Sequence, residues 1–212
     1  MRFIRLFSAV CVIAVGSASV ARADVVFGNL GTDGTGALGT TNTDIGPTLN
    51  DYIAQGFTAA APNLSVTSVS LGLFGDGSIP TTVAIYADNF GEPAASPLYT
   101  SGVVNVGARG TYQFSFSGAQ LTGGSSYWVV PQSDVSWYLN SPGSAPIGQN
   151  SSGYVFTNTL EKLGTGSWGS AGSNRYSISV VATVPEPSSY AIGALGLGLA
   201  GFAGTRRRRS AV

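Results

Sequence analysis

Histidine is absent from all 212 residues, and cysteine occurs once, at Cys11. The first absence excludes Ser-His-Asp triads, Cys-His dyads and imidazole-held zinc or iron. Cys11 sits inside an N-terminal apolar run, so a chain that loses this run has no thiol, no disulfide and no thiolate nucleophile. Lysine also occurs once, as Lys162, with no serine-lysine motif around it. Charge of either sign is scarce, at 9% of residues, and the net charge of zero is a cancellation between separated groups. Arg2, Arg5 and Arg22 lie at one end, and Arg206, Arg207, Arg208 and Arg209 at the other. In the body between them, residues 24–183, the cations are Arg109, Lys162 and Arg175, against Asp24, Asp33, Asp44, Asp51, Asp76, Asp88, Glu92, Asp134 and Glu161. A weakly acidic body offers no basic footprint for nucleic acid. Its solubility rests on Ser, Thr, Asn and Gly instead.

The N-terminus has the three parts of a secretory signal. Arg2 and Arg5 precede an apolar run over 6–15, and Ala21-Arg22-Ala23 places small residues where a signal peptidase requires them. Cleavage is expected after Ala23. The run is shorter than the ~20 residues that span a bilayer. Val10 before Cys11, and the position of Cys11 within the apolar run, argue against lipoprotein processing. Residues 1–23 are therefore read as a signal peptide, and 24–183 as one extracytoplasmic domain of about 160 residues, a usual domain size.

That domain reads as short strands between Gly, Pro, Asn and Asp. Residues 111–117 (Thr-Tyr-Gln-Phe-Ser-Phe-Ser) alternate strictly, aromatics against polar residues, as do 175–180. Residues 82–86 form another strand, closed by the turn residues Asp88-Asn89. Residues 126–130 are apolar on both faces, which predicts the centre of a sheet. Residues 64–66 and 69–73 are out of phase, and a bulge near Thr67-Ser68 would reconcile them, because one extra residue flips the face. Residues 25–30, 52–58, 98–106, 135–139 and 153–157 are weaker strands, while 31–46 and 140–153 look like long polar loops. No helical period and no internal repeat is found in the body. About ten strands with closely spaced turns predict an all-β fold, an antiparallel β-sandwich of jelly-roll type.

The composition changes at 184. Val184-Pro185-Glu186-Pro187 is stiff and extended, since each proline fixes φ and removes a donor. An apolar stretch over 190–203 follows, about 14 residues and marginal for a single spanning helix. Arg206, Arg207, Arg208 and Arg209 after it would stay cytoplasmic. The body is thereby placed outside the inner membrane.

The order of motif, short apolar segment and terminal arginine cluster resembles the PEP-CTERM sorting signal of Gram-negative bacteria. The resemblance covers 184–212. It implies that Val184, Pro185, Glu186 and Pro187 are recognised by an exosortase, an integral-membrane cysteine protease. It further implies a precursor held transiently in the inner membrane, processed at the motif and passed to the cell surface or released, often among exopolysaccharide and biofilm. Three stretches of the body resemble choice-of-anchor domains. They are Gln55-Gly56-Phe57-Thr58 with the strand after it, 83–89 with its Asp-Asn turn, and 121–130, the last resembling the R type. Such domains have no assigned activity.

Candidate chemistry is sparse. A glycosidase needs two carboxylates about 5–10 Å apart, and Asp88 with Glu92, or Asp134 with Glu161, are the pairs that can be nominated. Asp76, Asp88 and Asn89 are the loop oxygens best suited to calcium, although Asp-Gly and Asp-Asn are also ordinary turn residues. No cofactor is otherwise implied. Trp128 lies in an apolar run and reads as core. Trp137 with Tyr138, and Trp168, are candidate platforms for stacking sugars, or else caps on the open ends of the sandwich. The sequence thus predicts a non-enzymatic, surface-sorted protein of the extracellular matrix or envelope. A carbohydrate-binding module for exopolysaccharide is the alternative, and a secreted hydrolase comes third.

Overall fold

The computed structural model describes residues 23–30, 42–46, 51–59, 63–140, 155–172 and 175–183. All regular structure in them is β. The strands are β1 (Ala23–Gly28), β2 (Asn42–Ile45), β3 (Asp51–Thr58), β4 (Leu64–Phe74), β5 (Ile79–Thr81), β6 (Val83–Asn89), β7 (Glu92–Pro93) and β8 (Tyr99–Thr100). They continue with β9 (Val104–Val106), β10 (Gly110–Leu121), β11 (Ser126–Pro131), β12 (Val135–Asn140), β13 (Val155–Leu163), β14 (Gly169–Ser170), β15 (Arg175–Tyr176) and β16 (Ile178–Thr183). No helix among the described residues is long and apolar enough to cross a membrane. The single hydrophobic helix expected over 190–203 lies outside the described residues, as do 1–22 and 184–212.

Two antiparallel sheets carry the body. Sheet A runs β1-β16-β4-β12-β15, with β10 on β4 and β2 on β12. Sheet B runs β14-β13-β3-β11-β6-β7, with β8 on β6, and β5 and β9 form a small separate ribbon. The chain crosses repeatedly between the sheets, so each sheet is assembled from strands distant in sequence. Their inner faces share one core that includes Phe27, Val69, Leu71, Phe114, Trp137 and Val180 of sheet A with Ile53, Phe57, Ile85, Tyr127 and Val129 of sheet B. Phe27 stacks on Phe57 across the interface, centroids 5.0 Å apart, and Phe57 meets Tyr127 at 5.9 Å. Burying a large side chain of this kind is worth roughly 1.5–3 kcal/mol, and this core replaces the disulfides the body cannot form.

Alternation locates the strands well. In β10, Phe114 and Phe116 are buried while Gln113 and Ser115 are exposed. The bulge expected near 67–68 is present. Val181 pairs with Ser68 and Ala182 with Val66, leaving Thr67 as the extra residue, so Leu64 and Val66 share the inner face with Val69, Leu71 and Leu73. The strand apolar on both faces, β11, lies between β3 and β6 in sheet B.

Three expectations need correction. The segment 31–46 contains a strand, β2, which pairs with β12 from Val135↔Ile45 to Tyr138↔Asn42. β13 continues through the charged residues to Leu163, because Glu161, Lys162 and Leu163 pair with Ile53, Tyr52 and Asp51 of β3. The run 175–180 is not one strand but two, broken at Ser177. There the Ser177 amide donates to Tyr138 O (2.8 Å) and its carbonyl accepts from Gly72 N (3.0 Å). Buried Asn29 fills the gap: its Nδ2 donates to Tyr176 O (2.9 Å) and its Oδ1 accepts from Ile178 N (2.8 Å). Backbone groups left by the break are thereby satisfied.

Candidate binding cleft on the outer face of sheet B

Strand periodicity turns Ile53, Gln55 and Phe57 of β3 inward, so Tyr52 and Ala54 face out. The register then assembles an outer surface. Lys162 pairs with Tyr52, Leu160 with Ala54, and Trp128 with Tyr86. The outward face of an antiparallel sheet is usually polar. This one instead carries a second apolar cluster of Ala54, Trp128, Val130 and Leu160, with Tyr86 and Trp168 packed against it. Trp128 is 1% exposed, and its indole N–H donates to Asp88 Oδ1 at 2.8 Å. The other carboxylate oxygen of Asp88 accepts from Gly91 N at 3.1 Å, so one side chain ties the hairpin tip to the cluster.

Above this floor lies a cleft of about 480 Å³. Tyr52, Tyr86, Gln132, Lys162 and Trp168 are among its walls, with Pro93, Ala94 and Ala95 closing one side. The last segment is pinned to β6, with Ala94 N donating to Ala87 O (3.0 Å) and Leu98 N to Ile85 O (2.8 Å). Trp168 is delivered by the turn after β13, where Gly164 takes φ 62°, a conformation that favours glycine. The Lys162 ammonium stands 5.9 Å from the Trp168 ring centre. Burial raises the Tyr86 phenol pKa above its ordinary value, while its hydrogen bond to Gln132 pulls the other way and nearby Tyr52 adds to the rise. The cleft therefore combines aromatic faces, an amide, phenols and one cation.

The aromatic residues singled out in the sequence part company. Trp137 is fully buried in the shared core; it packs on Tyr176 with centroids 4.9 Å apart and donates from Nε1 to Ser177 O at 3.1 Å. Tyr138 projects to the other face of β12 and is 9% exposed, with the Arg109 guanidinium 4.6 Å from its ring centre. Trp137 and Tyr138 thus form no sugar platform, which corrects that expectation: neighbours on a strand point to opposite faces. Only Trp168 of the three reaches the cleft. Tyr52, Tyr86, Gln132 and Lys162 were missed, and the available signal was phase, since an inward Ile53 obliges Tyr52 to face out.

The nominated carboxylates are not brought together as catalytic pairs. Asp88 and Glu92 share a hairpin, with Asn89↔Glu92 and Asp88↔Pro93 in register, and Asp88 is committed to Trp128 and Gly91. Glu161 pairs with Ile53 on sheet B, whereas Asp134 lines a separate depression of about 330 Å³ beside Asp44, Asp76 and Phe74. In that depression the Ser136 hydroxyl hydrogen-bonds the Asp44 carboxylate. Nor are Asp76 and Asp88 gathered: Asp76 lines the depression with Asp44 and Asp134, whereas Asp88 is bonded to Trp128 and Gly91. Among the described residues no three His, Cys, Asp or Glu side chains are placed to hold a metal. The nearest acid to Glu161 in effect is Asp51, whose pKa is raised by burial first and by Glu161 second. Burial likewise raises Tyr176, opposed by its hydrogen bond to Thr43 (2.9 Å) and reinforced by Glu161 and Asp51.

The remaining predicted residues, Ala21, Val184, Pro185, Glu186, Pro187, Arg206, Arg207, Arg208 and Arg209, lie outside the described residues, while Ala23 opens β1. Comparison with known families decides the tail. Residues 183–209 match the PEP-CTERM protein-sorting motif. The match takes in the Val184-Pro185-Glu186-Pro187 segment, the apolar stretch and the arginine cluster. A PEP-CTERM motif implies export, a membrane-anchored precursor and processing by an exosortase on the way to the cell surface. No curated protein matches the chain.

Proposed function

We propose that this PEP-CTERM protein is a non-enzymatic component of the extracellular matrix or envelope that holds exopolysaccharide in the outer cleft of sheet B. A signal peptidase cleaves after Ala23, the tail holds the precursor briefly in the inner membrane, and an exosortase delivers the body, a sandwich of jelly-roll type resembling choice-of-anchor R domains. One observation carries the binding role: Tyr52, Tyr86, Trp168, Gln132 and Lys162, from separate strands and a turn, converge on a single cleft. The C–H face of a pyranose packs on aromatic rings, while amide, phenol and ammonium groups hydrogen-bond its hydroxyls. A binding role without turnover is supported by the residues available. The chain has no histidine, and the described cleft-lining residues include no carboxylate to act as general acid.

A glycan array probed with the exported protein tests this reading. Wild type is expected to retain a subset of polysaccharides, and Trp168→Ala or Tyr86→Ala to lose them by roughly tenfold or more, the scale of a lost aromatic contact. Equal retention by wild type and both variants would remove the cleft from the account.

A further inference from the structure

We infer that the sheet B cleft selects acidic saccharides, with Lys162 reading a negative group carried on the sugar. The inference rests on the saccharide reading of the same cleft and adds the charge of its ligand.

Lys162 is the only lysine in the chain. Its register opposite Tyr52 sets it on the outer face, while its sequence neighbour Glu161 pairs with inward-facing Ile53 and is directed away. The other body cations lie elsewhere: Arg109 packs on Tyr138 of sheet A, and Arg175 sits on β15 of sheet A. Among the described residues lining the cleft, Lys162 is the sole charged side chain. A protein whose body is acidic therefore presents, in this aromatic cleft, a single positive group and no described negative one. No salt bridge to a described carboxylate accompanies its placement over Trp168.

At 5.9 Å from the ring centre the ammonium is at the outer limit of a cation–π contact, and the half-exposed site keeps that contact weak. An anionic oxygen entering the cleft outcompetes the ring, because a charge-assisted hydrogen bond is the stronger interaction. Trp168 stays available to the sugar, so one ligand can use the aromatic and the charge together. A neutral sugar gains from the rings alone. Lysine is a point charge rather than a bidentate fork, so the shared chemistry is a negative group on a pyranose, either a uronate carboxylate or a sulfate ester.

The test titrates the full exported protein with three oligosaccharides of matched length: an oligouronate, its carboxyl-reduced neutral counterpart and a sulfated neutral oligomer. Wild type is expected to bind at least one acidic oligomer roughly tenfold tighter than the neutral one, with the advantage declining as salt rises. The two acidic arms tell carboxylate from sulfate. Lys162→Met keeps the stem and should abolish the acidic advantage while leaving the neutral affinity alone; Lys162→Arg should retain it, and Trp168→Ala should weaken all three. Equal affinity for acidic and neutral oligomers, or an acidic advantage that survives in Lys162→Met, overturns the charge inference and leaves the saccharide reading standing. Failure of all three to bind, with unchanged melting, overturns both.

Discussion

The two sheets resemble each other inside and diverge outside. The outer face of sheet A is a ladder of small polar residues. Ser68 and Ser70 of β4 lie against Ser115 and Gln113 of β10, Ser179 of β16 pairs with Ser70, and the Gln113 amide reaches the Ser68 hydroxyl at 3.0 Å. A second such bond joins Gln120 to Ser65 at 2.9 Å. The outer face of sheet B has Trp128, Val130, Ala54 and Leu160 in the equivalent position, rimmed by Tyr86 and Trp168. The ladder is polar but largely covered: Ser68, Ser70 and Ser179 are buried, and Gln113 and Ser115 of β10 are exposed. An apolar floor beneath aromatic walls is more than solubility requires, and a face organised in that way is fitted to hold something.

The sharpest break in this contrast comes from paired truncations. Trp128→Ala should cost about 3–5 kcal/mol, since it empties a buried site and strips Asp88 Oδ1 of its indole donor. Ser115→Ala, at an exposed place on the sheet A ladder, should stay within about 0.5 kcal/mol. Urea unfolding of both variants measures the gap, and comparable costs would mean that the outer cluster is no more built than the serine ladder.

A smaller effect comes from the hairpin tip at the edge of sheet B. Phe90 is fully exposed and sits at φ 56°, followed by Gly91 at φ 91°. Two successive positive φ values make a type I′ turn, in which asparagine is favoured at the first central position and a bulky aromatic is not. Phe90→Asn should stabilise the protein by about 0.5–1 kcal/mol, read as a rise in melting temperature. A loss of stability would indicate that Phe90 makes a contact its exposure denies.

The smallest effect is electrostatic and sharpens the comparison at the inner edge of sheet B. Asp51 Oδ1 is buried without a hydrogen-bond partner, and its folded pKa is raised above 3.8 by burial and by Glu161. The folded state therefore holds this proton more tightly than the unfolded chain. Its contribution is most favourable below the unfolded pKa and declines as pH rises through the folded value. Asp51→Asn should melt higher than wild type at neutral pH, with the difference shrinking as pH falls toward 3.8. A variant less stable than wild type at neutral pH would show that the surroundings of Asp51 favour its charged form. Tyr86 and Tyr176, both raised above 10.0, shift the same way at the alkaline end, where stability should fall as pH climbs past 10.0.

How much of this was readable beforehand follows from which forces are local. Side-chain alternation is a property of neighbours, so β10, β11 and the bulge at Thr67 could be read directly. The break at Ser177 could not, because it depends on Asn29, nearly 150 residues away in the chain. β2 escaped notice since Asn42 and Asp44, on either side of Thr43, have little strand preference and are held by pairing to β12. The cleft was hardest: Trp168 was singled out, yet its companions Tyr52, Tyr86 and Lys162 meet it only through sheet register. The tail needed no fold at all, since its signal is a linear order of motif, apolar segment and arginines.

The pairing of Asp24 with Ala182 joins the two ends of the body across one rung of the β1–β16 ladder. Its consequence is mechanical. Tension applied between these two ends would peel β1 from β16 one hydrogen bond at a time, like a zipper, and should require little force. Tension entering at Thr183 while the cleft is gripped pulls β16 lengthwise along β4, against the whole register from Ile178↔Leu71 to Thr183↔Ser65 at once. Loaded in shear, the same strand becomes the stiff element, and single-molecule pulling along the two directions should separate a weak axis from a strong one.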